Sequence, residues 1–175
     1  MIQPLDDLEK WHSSLDPWGY ETNPEDSKRK DILLSELPQK NYGNVLDIGC
    51  GHGFVTRDLP GKRVLGVDIS HEAIKKAQAF KSERITFLQS SIFDLNRNVN
   101  EQFDLIVITG VLYPQYIANA HNLVYLIIEK LLMDSGILVS VHIDEWYKAR
   151  FPYLLLKDYF YDYREYTHRL EVYVK

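Results

Sequence analysis

The residues best suited to chemistry stand in the stretch VLDIGCGHGF, Val45 to Phe54, where Gly49, Gly51 and Gly53 follow Asp47 at one-residue intervals. Glycine lets the backbone turn with positive φ and lets a ligand approach it closely. A loop between a strand and a helix can then hold a ligand through backbone N–H groups. A dinucleotide loop has the spacing G-x-G-x-x-G. Here the spacing is G-x-G-x-G, and Phe54 stands where the last glycine would be. The Asp47 carboxylate would repel a pyrophosphate but suits a ligand with an ammonium group. Farther on, Asp68 closes RVLGVD. A carboxylate at the carboxyl end of a second strand is placed to accept both hydroxyls of a ribose. S-adenosylmethionine has all three properties: a ribose, a charged amine and no phosphates.

The elements that must position these groups alternate. Asn23-Pro24-Glu25-Asp26 reads as a helix start, with Leu33, Leu34 and Leu37 as an apolar face and Pro38 as the stop. Val45–Ile48, Arg63–Asp68, Arg84–Gln89, Phe103–Thr109 and Ile137–His142 read as strands. Between them come a short helix opened by the glycines, a helix from Ser70 to Phe80, and an apolar helix over Asn122–Met133 with Leu123, Leu126, Ile127 and Leu131 inward. Such alternation implies a parallel sheet covered on both faces. A short helix is expected around Glu145–Arg150. After it YFYDYREY and THRLEVYVK leave no room for a crossover, so one strand near the edge is antiparallel. Residues 1–24 show no clear period.

The chain resembles the class I S-adenosylmethionine-dependent methyltransferases. The VLDIGCGHG loop, the VLGVDIS and FDLIVITGVLYP strand ends and the GILVSVH strand occur in that family's order over about residues 40–175. The resemblance implies a Rossmann-like doubly wound α/β fold, a seven-stranded sheet of order 3-2-1-4-5-7-6 with strand 7 antiparallel. It implies a single domain over 1–175: an N-terminal lid and helix over 1–40 and the core over 41–175. DPWGYETNPEDSKRK with its leucine-rich helix and LP resembles the start of the nodulation protein S methyltransferases, which N-methylate an amino sugar of a chito-oligosaccharide.

The site follows from that resemblance residue by residue. Gly49, Gly51 and Gly53, with Cys50 and Phe54 in the same loop, would pass the methionine part of the cofactor. Asp47 would hold its amino group, Asp68 its ribose, and Ile69 would pack near the adenine. Ser91 stands where an acid is frequent, which moves adenine recognition toward the backbone of Ile92 or Phe93. Thr109, Gly110 and Val111 end strand 4 beside the transferred methyl. Tyr113 lines the pocket or is a core aromatic. His142, at the end of strand 5, is a base candidate or a structural histidine. Trp11, Trp18 and Tyr20 form a lid or simply pack, and Arg29 grips the cofactor carboxylate or is a surface cation.

Composition narrows the class. The chain has 175 residues, 45% apolar and 26% charged, with net charge −5 and one basic cluster, Lys28-Arg29-Lys30. Nucleic acid is therefore not expected as a partner, since phosphate neutralisation needs clustered Lys and Arg. Cys50 is the one cysteine, so no multi-cysteine metal site is expected. MIQPLDDLEK does not read as a signal peptide, and no apolar run approaches the ~20 residues of a membrane helix. A cytoplasmic protein with no membrane partner is expected, and a homodimer is possible. Gly110 stands where relatives often carry Glu or His. An amine acceptor needs only to be neutral before attack, whereas a hydroxyl needs a base, so the empty position leans toward N-methylation of a small molecule or sugar. A nicotinamide-dependent oxidoreductase and a non-catalytic cofactor-binding subunit are the rival readings.

Overall fold

The apolar runs pair as their period demands. In the computed structural model, which describes residues 3–14, 16, 17 and 19–175, the chain order is α1 (Leu5–Ser13), α2 (Pro24–Glu36), β1 (Asn44–Ile48), β2 (Arg63–Asp68), α3 (His71–Ala77), β3 (Ile85–Gln89), α4 (Leu95–Asn98), β4 (Phe103–Thr109), α5 (Pro114–Ile117), α6 (His121–Leu131), β5 (Leu132–Ile143), β6 (Leu154–Tyr163) and β7 (Tyr166–Val174). The seven strands form one sheet in the order β3-β2-β1-β4-β5-β7-β6, the expected one. Pairing is parallel through β5, and β7 runs antiparallel to both β5 and β6. All the parallel strands therefore end at one edge, which gathers Asp47, Asp68, Thr109 and the loops that follow them.

One core lies on each face. Leu46, Ile106, Ile108, Leu112 and Leu138 pack with α6, and Val45, Leu105, Val107, Val139 and Leu170 pack with Leu33 of α2. Each such side chain contributes roughly 1.5–3 kcal/mol on burial. Asn23 caps α2 by accepting the Glu25 N–H (2.9 Å), with Pro24 at the first turn, as expected. Among the described residues no helix is long and apolar enough to cross a membrane.

Several local expectations are corrected. The N-terminal segment contains α1, begun after Pro4, with Asp6 and Asp7 in its first turn and Lys10 and His12 in its last, the charge order a helix dipole favours. The glycine loop opens onto turns and a single 3-10 turn, Thr56–Asp58, rather than a helix. In α6 the buried face is Val124, Ile127, Ile128 and Leu131, while Leu123 and Leu126 are exposed. The helix is apolar on more than one face, so composition does not set its phase. It ends at Leu131, and Leu132–Ser135 joins β5 because Leu132 pairs with Phe103. In place of the helix expected around 145–150, residues 144–146 form a turn and 147–150 have no regular structure. The terminal hairpin begins earlier than expected, at Leu154, and turns at Arg164 and Glu165.

Candidate active site

The glycine loop is sewn onto the end of β2. The N–H groups of Gly49 and Cys50 both donate to the Val67 carbonyl, at 2.8 and 3.0 Å. All three glycines have positive φ, but for different reasons. A Cβ on Gly49 would lie 2.2 Å from Val111 Cγ2, and one on Gly53 would lie 3.2 Å from Phe87 Cζ. Packing thus demands glycine at 49 and leaves little room for a side chain at 53. A Cβ on Gly51 would meet nothing within 4 Å, and the same holds for Gly110 after β4. Gly51 and Gly110 are thus the positions of the expected cradle where the backbone borders open space. Val111 is the side chain that fills the gap over Gly49.

Asp68 is held in place by the loop it serves. One of its oxygens accepts the Gly51 N–H and the other the Ser70 N–H, both at 2.9 Å. Burial raises its carboxyl above the usual range, and the two backbone bonds pull the other way. One lone pair per oxygen is left for a diol. Asp47 is fully buried on β1. Its Oδ2 accepts the Thr56 hydroxyl at 2.6 Å, and its Oδ1 has no partner. Burial pushes its carboxyl up to about 6. Arg29, on the inward face of α2 as the spacing of four with Leu33 and Leu37 predicts, is 7% exposed and lies over the rings of Tyr20 (5.0 Å) and Tyr163 (5.8 Å). Its Nε also has no partner, and its charge acts on Asp47. Two buried groups of opposite charge, each with an unused polar atom, fit the ammonium and carboxylate of an α-amino acid.

The N-terminal segment spans this edge. The Gln3 N–H donates to the Gln115 carbonyl (2.8 Å), and α1 then packs on α3. Glu9 accepts from the Ser70 hydroxyl (2.7 Å), the His71 N–H (2.7 Å) and the Glu72 N–H (3.1 Å). Lys76 closes the far end of α1 by donating to the His12 and Ser14 carbonyls. Next, Glu21 takes both terminal nitrogens of Arg57 (2.8 and 2.9 Å) and stands 3.3 Å from His52 Nε2 in the glycine loop. Tyr20 stacks on Phe54 at 5.6 Å. Glu9, His12, Glu21 and Thr56 were not singled out from sequence. Only the dipole-ordered charges of α1 signalled any of them.

Other expected site residues fall elsewhere. Trp11 is 49% exposed, and α1 turns His12 inward in its place, beside Asp68. Trp18 lies outside the described residues. Phe54 is a core residue under Tyr20, with Lys30 4.2 Å from its ring centre. Cys50 is buried, its thiol pushed far up by burial, so it offers backbone only. Ser91 accepts the Phe93 N–H (3.2 Å), leaving the Ile92 N–H as the backbone donor for an adenine; Ile69 is open to solvent beside Asp68. Thr109 is half-buried at the end of β4.

Beyond β4, Tyr113 accepts the Ile143 N–H at 2.9 Å and meets Trp146 edge-on at 5.2 Å. A shallow groove of ≈ 310 Å³ lined by Pro114, Gln115 and Trp146 opens beside it. Burial raises the hydroxyls of Tyr113 and Tyr20 to about 12. His142 stands at the carboxyl end of β5, as expected, but its side chain does not reach the surface. It is fully buried against Tyr147 (4.9 Å), and burial, aided by Arg169, pushes its pKa down to about 3. Of the residues expected to take part in catalysis, Tyr113 and Tyr20 thus hold their protons near neutral pH, and His142 is a neutral, buried and only weakly basic imidazole.

The family model described as a methyltransferase domain matches residues 39–167. Among curated proteins, the human mitochondrial ubiquinone biosynthesis O-methyltransferase is 33% identical over 96 residues, 47% of this chain and 26% of that one. Ribosomal RNA small subunit methyltransferase C of Colwellia psychrerythraea is 35% identical over 82 residues, 43% of this chain and 22% of that one. The chain thus matches about a quarter of the length of these relatives. Among solved structures, the N-methyltransferase NodS of Bradyrhizobium japonicum WM9, in complex with S-adenosyl-L-homocysteine, superposes with a TM-score of 0.84 at 22% identity, covering 98% of this chain and 97% of that one.

Proposed function

This chain belongs to the methyltransferase domain family, and on that premise we propose that it binds S-adenosyl-L-methionine and methylates a nitrogen of a small molecule or sugar. The observation that carries the cofactor reading is the pair of buried groups of opposite charge, each with one unpartnered atom, Asp47 Oδ1 and Arg29 Nε, around a loop that opens at Gly51. Leaving such atoms unpaired costs roughly 1–3 kcal/mol each, and a zwitterionic ligand end removes both costs. A dinucleotide offers no ammonium to Asp47, which disfavours the oxidoreductase reading.

When bound, S-adenosylmethionine supplies a methyl group already activated on a sulfonium. In this reading Asp47 holds the ammonium, Arg29 the carboxylate and Asp68 the ribose hydroxyls. Ile69 and the backbone at Ile92 flank the adenine. Gly51 and Gly110 leave the room. The N-terminal segment, pinned through Glu9 and Glu21, keeps water from the edge. With the acceptor aligned by the Tyr113 and Trp146 wall, catalysis is mostly positioning and desolvation. The protonated tyrosines and a buried, weakly basic His142 offer no strong base to an acceptor, which favours an amine that arrives neutral. The NodS likeness supports the same lean, whereas the ribosomal RNA relative keeps a nucleic-acid acceptor among the outcomes to test, so the net charge of −5 does not exclude one.

The test is calorimetry with S-adenosylmethionine, S-adenosylhomocysteine and NAD, followed by radiolabelled methyl transfer to amine, hydroxyl and RNA acceptors. Binding of both adenosyl ligands but not NAD, with label on amines, is expected. Binding of NAD alone would overturn the cofactor assignment. Label confined to RNA or to hydroxyls would overturn the acceptor assignment, and binding without any transfer would favour a non-catalytic subunit.

A further inference from the structure

Asp26 is fully buried at the start of α2, where an exposed acid would serve the helix dipole as well. Its Oδ1 accepts the Tyr163 hydroxyl at 2.7 Å and stands 3.4 Å from Arg29 Nη2. Its Oδ2 accepts from Arg164 Nη2 at 2.7 Å. Tyr163 is the last residue of β6, and Arg164 is the first residue of the hairpin turn, with φ +54°. Glu25, the neighbour of Asp26, accepts the Arg164 N–H at 2.7 Å. The first turn of α2 is thus bolted to the tip of a hairpin nearly 140 residues away.

A buried ion pair is a poor source of stability, because desolvating the two charges offsets their attraction. What this cluster does achieve is direction. One carboxylate faces two guanidiniums, and the shorter contact goes to Arg164. Arg29 shares its carboxylate partner with Arg164, its plane is set by Tyr20 and Tyr163, and its Nε has no acceptor.

We infer that Asp26 is a positioning residue: together with Tyr163 and Arg164 it fixes the Arg29 guanidinium so that its free Nε meets the carboxylate at the amino-acid end of the cofactor. The inference rests on the cofactor reading above. It makes the terminal hairpin part of the cofactor site and not only the closing edge of the sheet.

The experiment is calorimetry on the full chain with two ligands, S-adenosylhomocysteine and 5′-methylthioadenosine, which keeps the nucleoside but lacks the amino-acid end. Asp26→Asn is expected to weaken S-adenosylhomocysteine about tenfold, the size of one charge-assisted hydrogen bond, and to leave methylthioadenosine within about twofold. Arg29→Gln should do the same, and the double variant should lose little more than either single one, since both act on one contact. Arg164→Gln, at the exposed tip, gives the same ligand-selective loss in smaller measure should Asp26→Asn fail to fold. Equal losses for both ligands, no loss for either, or additive losses in the double variant would overturn the positioning role. A wild-type chain that binds neither ligand would sink the cofactor reading, and this inference with it.

Discussion

Asp47→Asn should make the ligand-free protein more stable while weakening the cofactor. The wild-type carboxyl is pushed up to about 6 from an ordinary 3.8, chiefly by burial. A rise of two units corresponds to roughly 3 kcal/mol of destabilisation once the group is ionised. Asparagine removes that charge and keeps an acceptor for the Thr56 hydroxyl. It also places an amide N–H where Oδ1 has no partner, which costs roughly 1–2 kcal/mol. The net gain is about 1–2 kcal/mol at pH 7.5, or about 2–8 °C in Tm for a chain of this size. The sign with pH is fixed by the raised folded value. Between about 6 and 3.8 the folded wild type holds a proton that the unfolded chain does not, so wild-type stability rises as pH falls through that window. The advantage of the variant should therefore be full above pH 6, vanish near pH 5 and reverse by about pH 4. In the wild type, S-adenosylhomocysteine affinity should fall below pH 6, because the ammonium needs the ionised carboxylate. Thermal denaturation from pH 4 to 8, with and without S-adenosylhomocysteine, measures all of this. A variant less stable than wild type at pH 7.5, a gap that does not change with pH, or undiminished ligand affinity would refute the reasoning.

Asp68→Ala should weaken S-adenosylmethionine and S-adenosylhomocysteine by roughly 1.5–3 kcal/mol; wild-type affinity in a folded variant, measured by calorimetry, would remove Asp68 from the site. Gly51→Val should abolish binding at a folding cost of roughly 1–2 kcal/mol, since the position is strained for a side chain but sterically open; retained binding would place the ligand elsewhere. A chain lacking residues 1–22 loses the Glu9 and Glu21 contacts but none of the core, so it should fold yet bind S-adenosylhomocysteine at least about tenfold more weakly. In the full chain that ligand should slow proteolysis before Pro24, and an unchanged cleavage rate together with full affinity in the truncated chain would reduce the segment to packing.

The chain's own pattern determined the succession of elements, the G-x-G-x-G turn after an apolar strand, the acid at the end of RVLGVD and the antiparallel finish. These are local facts: strand burial, glycine φ and helix capping are written in a few adjacent residues, as Asn23 shows at the start of α2. The strand order came with the family resemblance. Tertiary structure alone decided which glycine faces open space, since Gly49 is excluded from that role by Val111 and Gly53 by Phe87. It alone decided that α1 presents His12 rather than Trp11, that α6 buries Val124 rather than Leu123, and that the His142 side chain does not reach the surface. The same holds for the charge on Asp47 and the aim of Arg29. Burial and electrostatics are sums over neighbours brought together from distant parts of the chain, and Asp26 meets Arg164 only because the sheet closes with β7 between β5 and β6.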